Sequence, residues 1–117
     1  MTEWMYEHEG LHVRVSTTSG GARIEWKGVS DSCNPGEFLN PLITDWSGKL
    51  KNLEVTVDLS ELDYMNSATI KPLINLVKLL DGNGQRVLIR FRDVDWQRTH
   101  RNCMSVLART LRNTQVQ

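Results

Sequence analysis

The chain has 117 residues, the length of one domain that buries a single core of modest size. Its hydrophobic fraction of 39%, its charged fraction of 24% and its net charge of zero are ordinary for a soluble globular protein. It has no signal-peptide pattern and no apolar run of the roughly 20 residues that span a bilayer, so we expect a cytoplasmic protein without membrane insertion.

The charges are distributed unevenly along the chain. Residues 86–112 contain seven arginines and two aspartates, whereas the rest of the chain is acidic. A partner-binding face and a solvated helix face would both produce this asymmetry. A nucleic-acid partner is not expected, because such a partner needs a stronger basic excess with groove-reading or aromatic elements among the charges.

The first half of the chain predicts a hairpin and a helix. Residues 11–15 and 22–26 alternate apolar and polar side chains on either side of a Gly-containing turn, which is typical of an antiparallel hairpin with one buried face. Residues 1–9 are expected to be loosely ordered. Residues 37–46 have helical apolar spacing, with Pro41 in or near the first turn and Gly48 ending the helix.

The second half predicts two further strands, each followed by a helix. Strands are expected at 53–59 and 86–91, and the residues between 60 and 65 form a short connection. A largely buried helix begins near Ser67 and stops at the Gly-containing run 81–84. The last predicted helix covers 96–112.

This order of elements, β-β-α-β-α-β-α, predicts an α/β class. The two strand–helix–strand steps imply parallel pairing through right-handed crossovers, and the hairpin adds an antiparallel edge. The whole chain, 1–117, is therefore expected to be one domain with a mixed sheet of about four strands and helices packed against it.

The sequence contains little that supports catalysis or metal binding. The histidines have no nucleophile or acid partner at motif spacing, the cysteines lack a CxxC arrangement, and the acids after strand 53–59 lack further ligands. We therefore expect no enzyme activity, no cofactor and no metal. The groups considered are His8, His12, His100, Cys33, Cys103, Asp58, Glu61 and Asp63.

The turn at residues 66–69 stands out from this background. Asn66, Ser67 and Thr69 are all residue types that cap helices, and a side-chain oxygen of any of the three would satisfy a free amide of the first turn. Pro72 removes one amide donor and crowds the preceding turn, so an irregular helix start is expected. A hydroxyl at this position is also accessible to a kinase, and its phosphate would lie near the positive end of the helix dipole.

The pattern from residue 55 to residue 91 resembles a STAS domain, the anti-sigma-factor-antagonist fold. In that family a strand ends in an Asp-Leu-Ser-like segment, here Asp58-Leu59-Ser60, and a phosphorylatable Ser or Thr opens the next helix. Ser67 matches the acceptor position. The family's usual Asp before the acceptor is Asn66 here, and its usual Gly two residues after it is Thr69. These residues, in the run 64–71, are similar to the SiaC-like branch.

The resemblance implies a non-catalytic partner-switching protein. A kinase resembling anti-sigma-factor kinases would phosphorylate Ser67, with Thr69 as reserve acceptor, and a PP2C-like phosphatase would reverse the modification. The unmodified form would bind a target, which in the SiaC-like branch is a diguanylate cyclase that connects the protein to cyclic-di-GMP and biofilm control. The expected contact residues are Asp63, Tyr64, Asn66, Ser67, Ala68, Thr69 and Lys71.

Two other functions remain open on the sequence. One is a constitutive interaction module in which Ser67 only caps the helix. The other is a small nucleotide- or phosphate-binding domain that uses the same helix N-terminus.

Overall fold

A computed structural model describes residues 2–117 as a seven-stranded mixed sheet with three α-helices. The strands are β1 (Thr2–His8), β2 (Leu11–Thr17), β3 (Gly21–Ser30), β4 (Glu54–Asp58), β5 (Leu62–Met65), β6 (Val87–Arg90) and β7 (Thr114–Val116). The helices are α1 (Gly36–Lys49), α2 (Ile70–Gly82) and α3 (Asp95–Ala108), and a 3-10 turn, Ser67–Thr69, precedes α2. No helix among the described residues is long and apolar enough to cross a membrane.

The sheet has the strand order β1-β2-β3-β4-β6-β7, with β5 paired to the end of β3. The pairs β1–β2 and β2–β3 are antiparallel, and β3–β4, β4–β6 and β6–β7 are parallel. The predicted α/β class, the antiparallel hairpin and the parallel crossovers are therefore confirmed. The sheet is larger than predicted, because it has seven strands where the sequence indicated about four.

The register of the strands places the buried side chains on one face of the sheet. Ile24 lies beside Val57, and Val57 lies beside Ile89, so the alternating apolar positions of three strands form a continuous surface. All three residues are fully buried. Helices α1 and α2 cover this surface with residues such as Leu39 and Leu73, which belong to the same hydrophobic cluster.

The largest difference from the sequence prediction is at the N-terminus. Residues 2–8 of the segment 1–9 are not loosely ordered but form β1, which pairs with β2 along its whole length; Met1 lies outside the described residues. The inward-facing side chains of β1, Trp4 and Tyr6, pack against the core. The Tyr6 ring packs edge-on against the Trp46 ring, with 5.7 Å between the ring centroids. The sequence prediction was wrong because the acidic residues on the opposite face of β1 gave this segment the composition of a polar terminus.

Several predicted boundaries also differ. The connection 60–65 contains β5, and the last helix ends at Ala108 so that the chain can add β7 at the sheet edge. Helix α1 continues through Gly48, and Pro41 lies beyond its first turn. Pro41 is tolerated at an exposed position, since a missing amide hydrogen bond costs least where water replaces it.

One position in β3 has a backbone conformation and a close contact that favour glycine. Gly28 has φ +86°, and a Cβ there would lie 2.1 Å from the carbonyl oxygen of Gly10. The β3–β5 pairing shifts register directly after it. This irregularity directs the end of β3, including Ser30, towards the turn at residues 66–69.

Candidate functional site

The turn at residues 66–69 is attached to the end of β3. β5 delivers the chain to this point, with Leu62 and Met65 fully or almost fully buried. The backbone N–H of Asn66 then donates to the carbonyl oxygen of Ser30 at 2.9 Å. The start of the turn therefore continues the β3–β5 pairing by one hydrogen bond, which fixes its position relative to the sheet.

Asn66 is the residue that caps the turn. Its Oδ1 accepts from the backbone N–H of Thr69 at 3.1 Å and from the Thr69 hydroxyl at 2.8 Å. Its Nδ2 donates to the carbonyl oxygen of Ser32 at 2.8 Å. An aspartate could not make that last bond, since a carboxylate has no hydrogen to donate at neutral pH. The structure thus gives a physical reason for Asn at the position where the STAS pattern usually has Asp.

Thr69 is a structural residue. Its side chain is fully buried, and its Oγ1 lies 2.8 Å from both Ser30 Oγ and Asn66 Oδ1. A kinase cannot reach this hydroxyl in the folded protein. The prediction that Thr69 is a reserve acceptor and a contact residue is therefore wrong. Thr69 stands where the STAS pattern usually has Gly, and its hydroxyl completes the buried network with Ser30.

Ser67 is the exposed hydroxyl of the turn. Both Ser67 and its neighbour Ala68 are exposed, and the Ser67 hydroxyl has no hydrogen-bond partner within residues 2–117. The hypothesis that Ser67 caps the helix is wrong, since Asn66 makes the capping bond. The expected irregular start is confirmed: a 3-10 turn precedes α2, and Pro72 lies in the first turn of α2.

The other predicted contact residues lie on the two elements that flank the turn in the chain. Asp63 and Tyr64 are exposed on β5, and Lys71 is exposed on α2. Tyr64 is 45% exposed, and its ring lies 5.8 Å from that of Trp96 at the start of α3. Sequence reasoning missed Trp96 as a neighbour of the site, and only its position just after a turn could have indicated it.

Buried side chains hold the chain that leads into β5. Gln97, fully buried on α3, donates through Nε2 to the carbonyl oxygens of Leu59 at 2.9 Å and Leu62 at 3.3 Å. Its Oε1 accepts from the backbone N–H of Arg92. The segment between β4 and β5 is therefore connected to α3 by one amide group.

Asp58, at the end of β4, holds the same segment from the other side. Burial alone would raise the pKa of Asp58. Its carboxylate accepts from the hydroxyl and the N–H of Ser60, at 2.6 and 2.9 Å, and pairs with the Arg23 guanidinium. These interactions outweigh burial and lower the pKa. Its oxygens are thus occupied by protein donors. Within residues 2–117, no group of three or more His, Cys, Asp or Glu side chains is placed to hold a metal ion.

Comparison with known proteins identifies the fold. Two structures of SiaC from Pseudomonas aeruginosa are similar: one at 23% identity over 78% of both chains with a TM-score of 0.57, and the apo form at 20% identity over 100% of this chain and 99% of that chain with a TM-score of 0.67. An uncharacterized protein from Shewanella loihica with a SpoIIAA-like fold matches at 14% identity over 96% and 89% of the two chains, with a TM-score of 0.55.

No family model and no curated protein matches the sequence. The three structural matches cover most of the chain, and the match to apo-SiaC covers all of it, including β1, which the sequence pattern did not predict. The resemblance to STAS domains is confirmed at the level of the fold. The chain therefore has the SpoIIAA-like fold of STAS domains, and it shares this fold with SiaC.

Proposed function

We propose that this protein is a non-catalytic partner-switching regulator, reversibly phosphorylated on Ser67, that binds a signalling target in its unphosphorylated form. The observation that carries the proposal is the Ser67 hydroxyl, which is exposed and without an intramolecular partner in an otherwise bonded turn. A hydroxyl that the fold does not use is free to be modified.

The surrounding turn suits a switch of this kind. Asn66 and Thr69 hold the backbone through bonds to Ser30 and Ser32, none of which involves Ser67. A phosphate on Ser67 would add about −1.5 to −2 charges near the start of α2, where the helix dipole favours an anion. The fold therefore tolerates the phosphate, whereas a partner docked over Ser67 and Ala68 would meet a bulky dianion.

The partners are proposed by likeness to the STAS family. A kinase resembling anti-sigma-factor kinases would add the phosphate, and a PP2C-like phosphatase would remove it in the cytoplasm. The target is a diguanylate cyclase or an anti-sigma factor. The fold shared with SiaC supports the first of these, and the exposed residues Asp63, Tyr64, Ala68 and Lys71 around Ser67 offer the contact surface.

Capture of partners with matched variants tests the proposal. Immobilised wild-type protein, Ser67→Ala and Ser67→Asp are incubated with lysate of the native host, and bound proteins are quantified by mass spectrometry. Ser19→Asp, which adds the same charge at an exposed serine of the β2–β3 turn, is the control. We expect one captured protein that binds wild type, Ser67→Ala and Ser19→Asp but does not bind Ser67→Asp.

Two outcomes would contradict the proposal. Equal capture by all four proteins would indicate a constitutive interaction module. A target that binds only Ser67→Asp would indicate that the phosphorylated form is the binding form. In each case circular dichroism and melting temperatures of the variants must match those of wild type, so that a loss of binding reports on the surface.

A further inference from the structure

A groove between α1 and α2 begins beside Ser67. It consists of two adjoining cavities of about 320 and 440 Å³, which share Asn40 and Asn75. The first cavity reaches Ala68 and Lys71, and the second reaches Lys78 and Leu79. The lining residues advance together along α1 and α2, so the two helices run in the same direction and the groove follows α2 from its first turn to its last.

The groove has a single sign of charge. No acidic residue lines either cavity, and the charged residues that do are Lys71 and Lys78. Neither lysine forms a salt bridge with a described residue, in contrast to Lys49, whose Nζ lies 2.9 Å from Asp45. Two unpaired ammonium groups in a groove without acids favour a partner that carries carboxylates.

The spacing of the lysines indicates the form of that partner. They are seven residues apart on α2, which places them about 10.5 Å apart along the helix axis and on the same side of it. Carboxylates seven residues apart on a second helix have the same separation. Leu79, 44% exposed beside Lys78, offers an apolar contact for such a helix.

We propose that this groove binds an acidic amphipathic helix of the target protein, and that phosphate on Ser67 releases the helix by pairing with Lys71. The inference rests on the proposed function and adds to it the chemistry of the partner and a positioning role for one lysine. Asn40 and Asn75 line both cavities and supply amide groups that hydrogen-bond to such a partner.

Besides repelling the partner, the phosphate would neutralise a lysine of the groove. Ser67 lies in the 3-10 turn, and Lys71 follows it four residues later in the first turn of α2. About one helical turn separates the two residues, which the long flexible side chain of a lysine can span to reach a phosphate. The phosphate therefore neutralises the lysine nearest to it and leaves its excess charge at the mouth of the groove.

The pairing with Lys71 is tested without any partner. Protein carrying phosphoserine at position 67 is titrated by 31P NMR, in the wild-type background, in Lys71→Gln and in Lys51→Gln, which removes an exposed lysine outside the groove. We expect the phosphate in wild type and Lys51→Gln to lose its last proton about 0.2 to 0.4 pH units lower than in Lys71→Gln. Identical titration curves in all three proteins would overturn this part.

Docking is tested with a designed probe. A synthetic helical peptide of three heptads, each with one glutamate and one leucine on the same face, is titrated into the 15N-labelled protein. The matched peptide has glutamine in place of glutamate. We expect the amide signals of Lys71, Asn75, Lys78 and Leu79 to shift with the acidic peptide only. The affinity for this peptide should fall about threefold to tenfold in Lys71→Glu or Lys78→Glu and stay unchanged in Lys51→Glu.

The outcomes separate this inference from the proposed function. Shifts confined to the arginines of α3, or equal binding of both peptides, would overturn the acidic-helix proposal. A captured target that is released by Ser67→Asp but binds Lys71→Glu and Lys78→Glu as tightly as wild type would do the same while leaving the proposed function intact. A target unaffected by Ser67→Asp would instead contradict the proposed function.

Discussion

The two ends of α2 are both fixed by side chains that bond to backbone groups, yet they differ in what they expose. At the C-terminal end, the buried Asp81 accepts from the Thr114 hydroxyl at 2.7 Å and from the N–H of Asn113 at 2.8 Å. Gln85, also buried, donates to the carbonyl oxygens of Leu50 and Leu53 at 2.7 and 2.9 Å. This end joins α2 to β7 and to the end of α1.

The N-terminal end uses the same kind of network but leaves one hydroxyl outside it. Asn66 and Thr69 connect the turn to the end of β3, and Ser67 projects into solvent between them. The comparison shows which polar groups the fold requires and which it does not. Changes at Asp81 or Gln85 should alter stability and leave partner binding unchanged, and Ser67→Asp should do the reverse.

The largest effect on stability is expected from Asp81→Ala. This variant leaves the buried Thr114 hydroxyl and the half-buried Asn113 N–H without an acceptor, which should cost about 2 to 3 kcal/mol, or roughly 8 to 12 °C in Tm. Asp45→Ala, which removes only the exposed ion pair with Lys49, is the control and should cost less than about 1 kcal/mol. Urea unfolding measures both, and equal losses would contradict the structural role of Asp81.

A smaller effect is expected at the buried hydroxyl of the other end. Thr69→Val keeps the volume of the side chain but removes the partner of Ser30 Oγ and of Asn66 Oδ1, and should cost about 1 to 2 kcal/mol. Thr69→Ser retains the hydroxyl and should recover part of the loss. If Thr69→Val were as stable as wild type, the network would not hold the turn.

The two ends should also differ in their response to acid. Burial alone would raise the pKa of Asp81, but bonds from Thr114, Asn113 and Arg112 outweigh it and lower the pKa. A lowered pKa contributes stability above the unfolded value of about 3.9, and this contribution is lost as pH falls through the folded value. The free energy of unfolding should therefore fall less steeply below about pH 4 in Asp81→Asn than in wild type.

The cap at the N-terminal end is an amide and does not titrate. Amide hydrogen exchange near Thr69 should consequently remain protected at acidic pH values at which protection near Asn113 is already reduced. Loss of protection at both ends over the same pH range would show that acid acts on the whole domain and not on the Asp81 network.

The smallest effect on stability is expected from Ser67→Ala. Because Asn66 makes the capping bond, removal of the Ser67 hydroxyl should change the free energy of unfolding by less than about 0.5 kcal/mol. Asn66→Ala, measured alongside it, should cost about 1 kcal/mol or more. A loss at Ser67→Ala as large as that at Asn66→Ala would mean that the serine is a cap after all.

The sequence predicted the regular elements with strong periodicity and missed the others. The alternation at 11–15 and 22–26 and the apolar run 86–91 correspond to β2, β3 and β6. β5 and β7 have four and three residues, too few for alternation to be distinguished from chance.

At the site, the position of Ser67 was predictable but the cap was not. Three cap-forming residues lie within four positions, and the choice among them depends on Ser30 and Ser32, more than 30 residues earlier in the chain. Only the tertiary structure brings these groups together. The α1–α2 groove was missed for the same reason, because its two walls come from separate segments.

Phosphate on Ser67 is proposed to control partner binding without unfolding the domain. The most direct test of this claim is calorimetric titration of the captured target with protein carrying phosphoserine at position 67, with protein carrying phosphoserine at position 19, and with unmodified protein. We predict that the unmodified protein and the position-19 form bind equally, and that the position-67 form binds about 100-fold more weakly or not at all, with an unchanged Tm. Equal affinity of all three proteins would contradict the claim.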